Sequence, residues 1–554
     1  MTRGYCQGKK SKINSMRRMK ILVFLAVLPI ADAQAQAPEE RKPSVAGSVL
    51  NTSGEPLKKA LLILRRSDAS GEGAYTASTD AAGAFRFADL ELGKYQLYVQ
   101  RTGYIPQQYS ALGRGGSTLT LASGQELTGI VVKLVPQGVI SGKVTDEDGD
   151  PMAQCAVQVL SLRYIRGKRQ YQAVQGMTVN DLGEFRVASL APGRYLVSVV
   201  YQHSTGALKN APEENYAMTY YPSTTDPAQA TPVIVTAGGE IRGMEIRLVK
   251  ARTYRVRGKV IDAVTNVPVR EVYLNLIPAN DNGMFETNAN GAVVRNASGT
   301  FDIGGLLPGS YLLMINSMSG SARTSTQQLI EVGTENVNDV VAMVRPGLQL
   351  SGSITVDGNE TVDFSAMRLF LEPVIGLPMN TGTIQPKPDG TFTVANVSAA
   401  KLRLHVMGMP ESAYLKSVRM GPQEMAGGVI DLSGGAGGPI EISVSAKAGQ
   451  VSGTVKDAKQ EPAGNAMVVL VPDSSRREQF QLFKQITADQ NGSFTLKGLP
   501  PGEYTLFSWE SIEDGAWQDP AVLLKYEING TKVRVQGSGS ATAEVKMIPL
   551  EDTK

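Results

Sequence analysis

The chain has 554 residues, of which 42% are hydrophobic and 19% charged, with 58 glycines and 29 prolines. That length exceeds a single core; the composition excludes a disordered chain and points to strands joined by tight turns rather than to helices. The formal net charge is +3, but residues 1–33 carry seven Lys or Arg and one acidic residue, so the remainder is at −3 and holds no basic patch that would suggest nucleic acid.

The first residues read as an export signal. Arg17, Arg18 and Lys20 precede an apolar run at 21–30, which is too short to span a bilayer. Ala33 and Ala35 offer small residues for cleavage, so residues 1–35 are predicted to be a signal peptide. Residues 1–15 are polar and add nothing to it, so translation is expected to start at Met16. Cys6 leaves with the leader, which makes Cys155 the sole thiol of the exported chain and rules out an internal disulfide. With no cysteine directly after the apolar run to carry a lipid, no second apolar span and no hydrophobic tail, the mature chain is expected to be soluble, in a periplasm or outside the cell.

After the leader one pattern recurs five times. Each unit opens with a strand carrying a glycine: Gly47, Gly142, Gly258, Gly352 and Gly453, flanked by alternating apolar and polar residues. A polar turn, a second apolar strand and a variable stretch follow. Then comes the motif Asp181-Leu182-Gly183-Glu184-Phe185, continuing to Leu190-Ala191-Pro192-Gly193-Arg194-Tyr195. It returns at 489–504, with looser copies at 80–95, 296–311 and 389–402. Its glycines suit turns that need positive φ. Phe185, Phe301, Phe392 and Phe494, with Leu190, Leu306 and Leu499 and then Tyr195, Tyr311 and Tyr504, suit a core. In the fourth unit Ala399-Ala400-Lys401-Leu402 replaces Pro-Gly-x-Tyr.

About seven short strands per hundred residues predicts an all-β chain: a tandem array of about five seven-stranded Ig-like or transthyretin-like β-sandwiches. The expected boundaries are 44–136, 137–250 with a tyrosine-rich insertion, 251–346, 347–448 (degenerate) and 449–550. Pro136-Gln137 and Arg345-Pro346 are too short to be flexible tethers, so a stiff rod or gently curved string is expected.

The Gly142-Lys143-Val144-Thr145-Asp146 opening, the stretch 181–186 and the Leu190–Tyr195 segment resemble the carboxypeptidase regulatory-like domain, a transthyretin-like or carbohydrate-binding-like sandwich. The long form, with Tyr220-Tyr221-Pro222 and residues 226–230, is similar to large exported proteins of soil bacteria. The resemblance implies a non-catalytic domain that accompanies peptidases, outer-membrane receptors and adhesins, or stands in strings.

Catalytic chemistry finds little to work with. The two histidines, His203 and His405, lack the neighbours of a zinc peptidase site, and Cys155 precedes a predicted buried strand without a base nearby. A related sandwich family forms Lys–Asn isopeptides with a catalytic Glu after the Tyr-x-Leu strand; that Glu is missing, so no isopeptide is expected. Asp146, Asp148 and Asp150 are weak candidates for a hard cation, three carboxylates where calcium wants six or more oxygens. A solvated turn is the better reading. Tyr216, Tyr220, Tyr221 and Trp517 are the candidate ligand-binding residues, as aromatic platforms for sugar, set against a reading in which the tyrosines cover a sandwich edge.

The function expected is therefore non-enzymatic and without cofactor: an exported envelope protein for binding, adhesion or spacing, whose partner is an envelope protein or polysaccharide. The alternatives are a carbohydrate-binding protein acting on envelope or environmental polysaccharide, and an accessory subunit of a peptidase or outer-membrane transporter. Exposed sheet edges could also accept a partner strand.

Overall fold

Alternation of side chains decides which face of each strand is buried. In Ala84–Phe87 the two phenylalanines are buried while Ala84 and Arg86 are exposed, and Glu240–Arg247 buries Met244 and Ile246 on either side of an exposed Glu245. The computed structural model describes residues 42–549, apart from 68–73, 110–117, 202–213, 280–289, 318–323, 359, 375–382 and 436–437. The leader, with Ala33 and Ala35, and His203 lie outside the described residues.

Strands dominate, and they form successive pairs of sheets, each pair around its own core. The second pair shows the plan. One sheet runs Glu184–Leu190, Gly138–Thr145, Glu240–Arg247; the other contains Lys168–Thr178, Cys155–Ile165, Gly193–Tyr201 and Thr219–Tyr220. In all five pairs the opening strand sits between two partners. It runs antiparallel to the motif strand and parallel to the closing strand, as Ser44–Asn51 does with Glu126–Leu134 and Gly449–Lys456 with Ser540–Ile548. The fourth pair departs from the plan by carrying Tyr414–Met420 on the sheet of its opening strand. In the fifth, Ser508 and Trp509 pair with Met547 and Ile548 and join the two sheets.

The register explains the repeat. Each opening glycine lies directly across from the motif phenylalanine: Gly47 from Phe85, Gly142 from Phe185, Gly258 from Phe301, Gly352 from Phe392 and Gly453 from Phe494. All five phenylalanines are buried. Phe85 completes the set in the first unit. The turn before each phenylalanine is closed by a side chain: Asp80 Oδ1 accepts from the N–H groups of Ala82 and Ala84 (2.9 and 2.8 Å), and Asp489 from those of Asn491 and Ser493 (both 2.9 Å). In the second unit the residue doing this is Asn180, bonded to Leu182 and Glu184 at 3.1 and 2.7 Å, not Asp181. The motif therefore begins one residue earlier there. Lys387 holds that position in the fourth unit, and Asp389 bonds Thr391 N instead.

The motif tyrosine also has a fixed task. Its hydroxyl donates to the carbonyl four residues back: Tyr95 to Glu91, Tyr195 to Ala191, Tyr311 to Leu307 and Tyr504 to Pro500, at 2.7–3.0 Å. This pins the Pro-Gly bend to the strand that follows. Tyr504→Phe keeps the packing and removes that bond, so it is expected to destabilise the fifth sandwich by about 1 kcal/mol. Calorimetric unfolding of the full chain reads this as a downward shift of one transition.

The joints are pinned. Gly238 N donates to Pro136 O at 3.0 Å and Gln137 N to Gly103 O at 3.1 Å; Ser538 N and Ala448 N close the last joint on Lys447 O and Ser412 O. In a string only neighbours touch, yet here the fifth sandwich touches the first, second and fourth. Gln490 exchanges two bonds with the backbone of Thr120 (3.2 and 3.1 Å), Arg169 pairs with Glu513 and Lys497 with Glu411. These contacts overturn the rod expected from short joints. Stiff joints set each unit's direction but do not require the directions to line up.

Candidate functional site

The residues singled out as sugar platforms are mostly occupied with packing. Trp517 is 4% exposed and packs with Phe483, Phe507, Trp509 and Leu523. Tyr220 is equally buried, against Leu160, Leu196 and Ala230. Neither has a ring face open to a sugar. Tyr221 is half-buried on the second core. Tyr216 donates to Glu147 (2.9 Å), lies edge-on to Tyr201 and under the Lys250 ammonium, which itself pairs with Glu147. Burial, then Glu147, pushes its phenol up to about 12.

Asp146 uses Oδ1 to accept from Asp148 N and Asp150 N, the Asx turn that its sequence suits. Among the described residues no group of three or more His, Cys, Asp or Glu is placed to hold a metal ion. Cys155 is fully buried, its Sγ directed at Ala153 O (3.6 Å), and burial pushes its thiol up to about 12. It is expected to resist alkylation of the native protein at pH 8 and to react stoichiometrically in denaturant; intact mass after reagent treatment checks this.

The feature that sequence reading left as a variable stretch is a long hairpin, Cys155–Ile165 with Lys168–Thr178. Its loop is two residues, Arg166 and Gly167, both at positive φ (49° and 73°), the geometry that matches strand twist. The Arg-Gly pair between alternating runs was the readable cue. Where the tip goes was not readable. It reaches the fourth and fifth sandwiches: Arg166 Nη2 lies 3.1 Å from Glu372 Oε2, Arg169 Nη2 lies 3.1 Å from Glu513 Oε2, and Gly167 packs so tightly on Gln518 that a Cβ there would stand 2.4 Å from its carbonyl oxygen.

Beside the hairpin tip a cleft of about 530 Å³ opens where the second, fourth and fifth sandwiches meet. Arg166, Arg403, His405, Lys484 and Lys497 line it, with Tyr414, Phe480, Met409 and Leu415 as apolar wall. Strand Lys401–Met407 puts Arg403 and His405 on one face because alternate residues share a side. His405 Nε2 is 2.8 Å from Glu372 Oε2 and its ring stacks on Phe370 at 4.4 Å. Glu372 thus serves both His405 and Arg166, and Lys497 is matched by Glu411 (2.8 Å). Among the described residues Arg403 is matched by no carboxylate in bonding range: Nη1 reaches Gly427 O at 3.3 Å and its buried Nε has no acceptor there. Burial, then the neighbouring Arg166, pulls its pKa down, with Glu372 offsetting in part. Lys484 stands in the crevice, solvent-reached yet walled by protein, and that surrounding lowers its pKa. The geometry is a concave, partly apolar pocket with surplus positive charge, suited to holding a group rather than to transferring a proton.

Residues 44–135, 139–248 and 450–509 match the family described as the carboxypeptidase regulatory-like domain. No curated protein sequence matches the chain. Among solved structures, a streptococcal ancillary pilin is similar over 55% of this chain and 98% of its own, at 14% identity and a TM-score of 0.21. The TIE protein of Bacillus anthracis is similar over 93% and 76%, at 10% identity and a TM-score of 0.16. GBS52, the minor pilin of Streptococcus agalactiae, is similar over 38% and 97%, at 14% identity and a TM-score of 0.21.

Proposed function

We propose that this chain, whose residues 44–135, 139–248 and 450–509 match the carboxypeptidase regulatory-like domain, is a non-catalytic, exported protein of the cell envelope that works by binding. The observation that carries this reading is the cleft at which three sandwiches converge, held together by the hairpin of the second. The Asx, Phe, Leu and Tyr that recur in the motif, the feature that first invites a catalytic interpretation, are taken up by the scaffold: Asx in turns, Phe and Leu in cores, Tyr in the bend. What is left for function is what differs between copies, and the hairpin and the cleft are both such differences.

The leader supports export, and the absence of a long apolar helix among the described residues is compatible with a mature chain that does not cross a membrane by helices. The test is fractionation of the native host with terminal sequencing, followed by sedimentation of the purified mature chain with washed envelopes. The expected result is a chain beginning at residue 34 or 36 that co-sediments saturably. A cytoplasmic chain retaining residues 17–33, or one that never co-sediments, refutes the reading.

A carbohydrate-binding role is the second reading. The observation favouring it is that Tyr414 and Phe480 line the cleft beside polar groups, the combination that sugar sites use. A glycan array with the mature chain separates the two.

A further inference from the structure

The cations of the cleft are not balanced by its carboxylates, and that imbalance names a ligand class. Four basic side chains line the cavity besides His405: Arg166, Arg403, Lys484 and Lys497. Glu372 is taken up by Arg166 and His405, and Glu411 by Lys497. Arg403 and Lys484 remain without a carboxylate partner among the described residues. A guanidinium that shares a cleft with a second one, and has a buried N–H with no acceptor, is a costly arrangement unless something anionic completes it. The other wall is apolar, from Met409, Leu415 and Phe480.

We propose that this cleft binds an oxyanion, a carboxylate or a phosphate, carried on a small sugar or polyol body, with Arg403 and Lys484 holding the oxyanion and the apolar wall packing on the C–H face of the body. Arg and Lys are complementary here: the guanidinium supplies a planar fork and the ammonium a mobile point charge. A volume of about 530 Å³ accommodates one or two rings.

The site also has a mechanical consequence. Its two anion-holding residues come from different sandwiches, Arg403 from the fourth and Lys484 from the fifth, and Arg166 from the second closes the rim. An occupant therefore adds to the contacts that already join three units, which are the packing of Gly167 on Gln518, the bonds at the last joint and a few exposed ion pairs that each contribute little in water. The inference goes beyond the envelope-binding reading and does not need it: export could fail while the cleft still binds an anion.

The experiment is calorimetric titration of the full mature chain with glucuronate, glycerol phosphate, glucose and inorganic phosphate as probes. Glucuronate or glycerol phosphate is expected to bind, glucose not to, and bare phosphate at least tenfold more weakly than the organic anion. Lys484→Gln and Arg403→Gln are each expected to weaken binding about tenfold or more, the worth of one charge-assisted bond. Lys484 is solvent-reached, so its variant folds even where Arg403→Gln is compromised, and thermal unfolding of both checks this. Binding should also raise the unfolding temperature of the wild-type chain but not of Lys484→Gln. No binding of either organic anion at millimolar concentration, binding indifferent to Lys484→Gln, or equal binding of glucose or bare phosphate overturns the proposal. If glucuronate alone binds, and does so through Lys484, the source is a sugar acid; if glycerol phosphate alone does, a phosphate ester; either supports the proposal.

Discussion

Gly453→Val abolishes the native packing of the fifth sandwich, and Gly453→Ala destabilises it by about 3 kcal/mol. A Cβ at this position would stand 1.8 Å from Ala543 O, a backbone atom of the parallel closing strand, and 3.0 Å from the Phe494 ring. Neither neighbour can step aside by changing rotamer. One is main chain inside a ladder; the other is a buried ring fixed across the pair. The same collision is set at Gly47, Gly142, Gly258 and Gly352, where a Cβ would lie 1.9, 2.0, 2.0 and 2.4 Å from the carbonyl oxygen of the closing strand. Gly333 is the control: nothing lies near its missing Cβ and its backbone is not at positive φ, so Gly333→Ala should stay within about 0.5 kcal/mol. Urea unfolding of the full chain, read by hydrogen exchange resolved to the fifth sandwich for Gly453 and to the third for Gly333, checks both. Equal stability of Gly453→Ala and Gly333→Ala would show that the close approach does not exist.

Trp517→Ala is expected to cost the fifth sandwich about 3–5 kcal/mol. The indole is buried among Phe483, Phe507, Trp509 and Leu523, and it lies just before the short helix Pro520–Tyr526, which Asp519 caps by accepting from Ala521 N at 2.8 Å. Losing the side chain leaves a cavity on which that helix can no longer seat. The loss should extend to the hairpin of the second sandwich, because Gly167 rests on Gln518 and Tyr164 on Gly515. Amide exchange should therefore rise in residues 160–172 as well as 512–530. Had Trp517 been a sugar platform, the same substitution would leave unfolding unchanged and remove binding only. The two outcomes are opposite, so one thermal melt beside one binding assay decides between them.

The division of labour between copies follows from these arguments. Where five units agree, the agreement serves packing. Where one differs, as in the eleven-residue strands of the second unit's hairpin and the charged face of the fourth unit's Lys401–Met407, the difference makes contacts between units. The degenerate fourth unit shows it well. Leu402 replaces the corner tyrosine there, and on the same strand Arg403 and His405 turn toward the cleft.

The β-sandwich repeat, its turns and its core aromatics were legible in the sequence because they are local. Alternation of apolar residues, Asx and Gly at fixed offsets and a Phe after each turn act over a few residues, so their spacing along the chain is also their spacing in space. Asp181 was misassigned by one because Asn180 and Asp181 are both able to close the turn, and only the backbone decides which does. Trp517 and Tyr220 looked like platforms because sequence shows a residue's chemistry and not what packs over it. The cleft was illegible for a stronger reason. Arg166, Arg403 and Lys484 are hundreds of residues apart in some pairs, none lies in a motif, and each alone reads as a solvated charge. Their convergence depends on the two-residue turn that aims a hairpin across unit boundaries and on joints that fix how successive sandwiches face. Those are long-range packing choices, made by shape and burial over the whole array, and only the tertiary structure carries them.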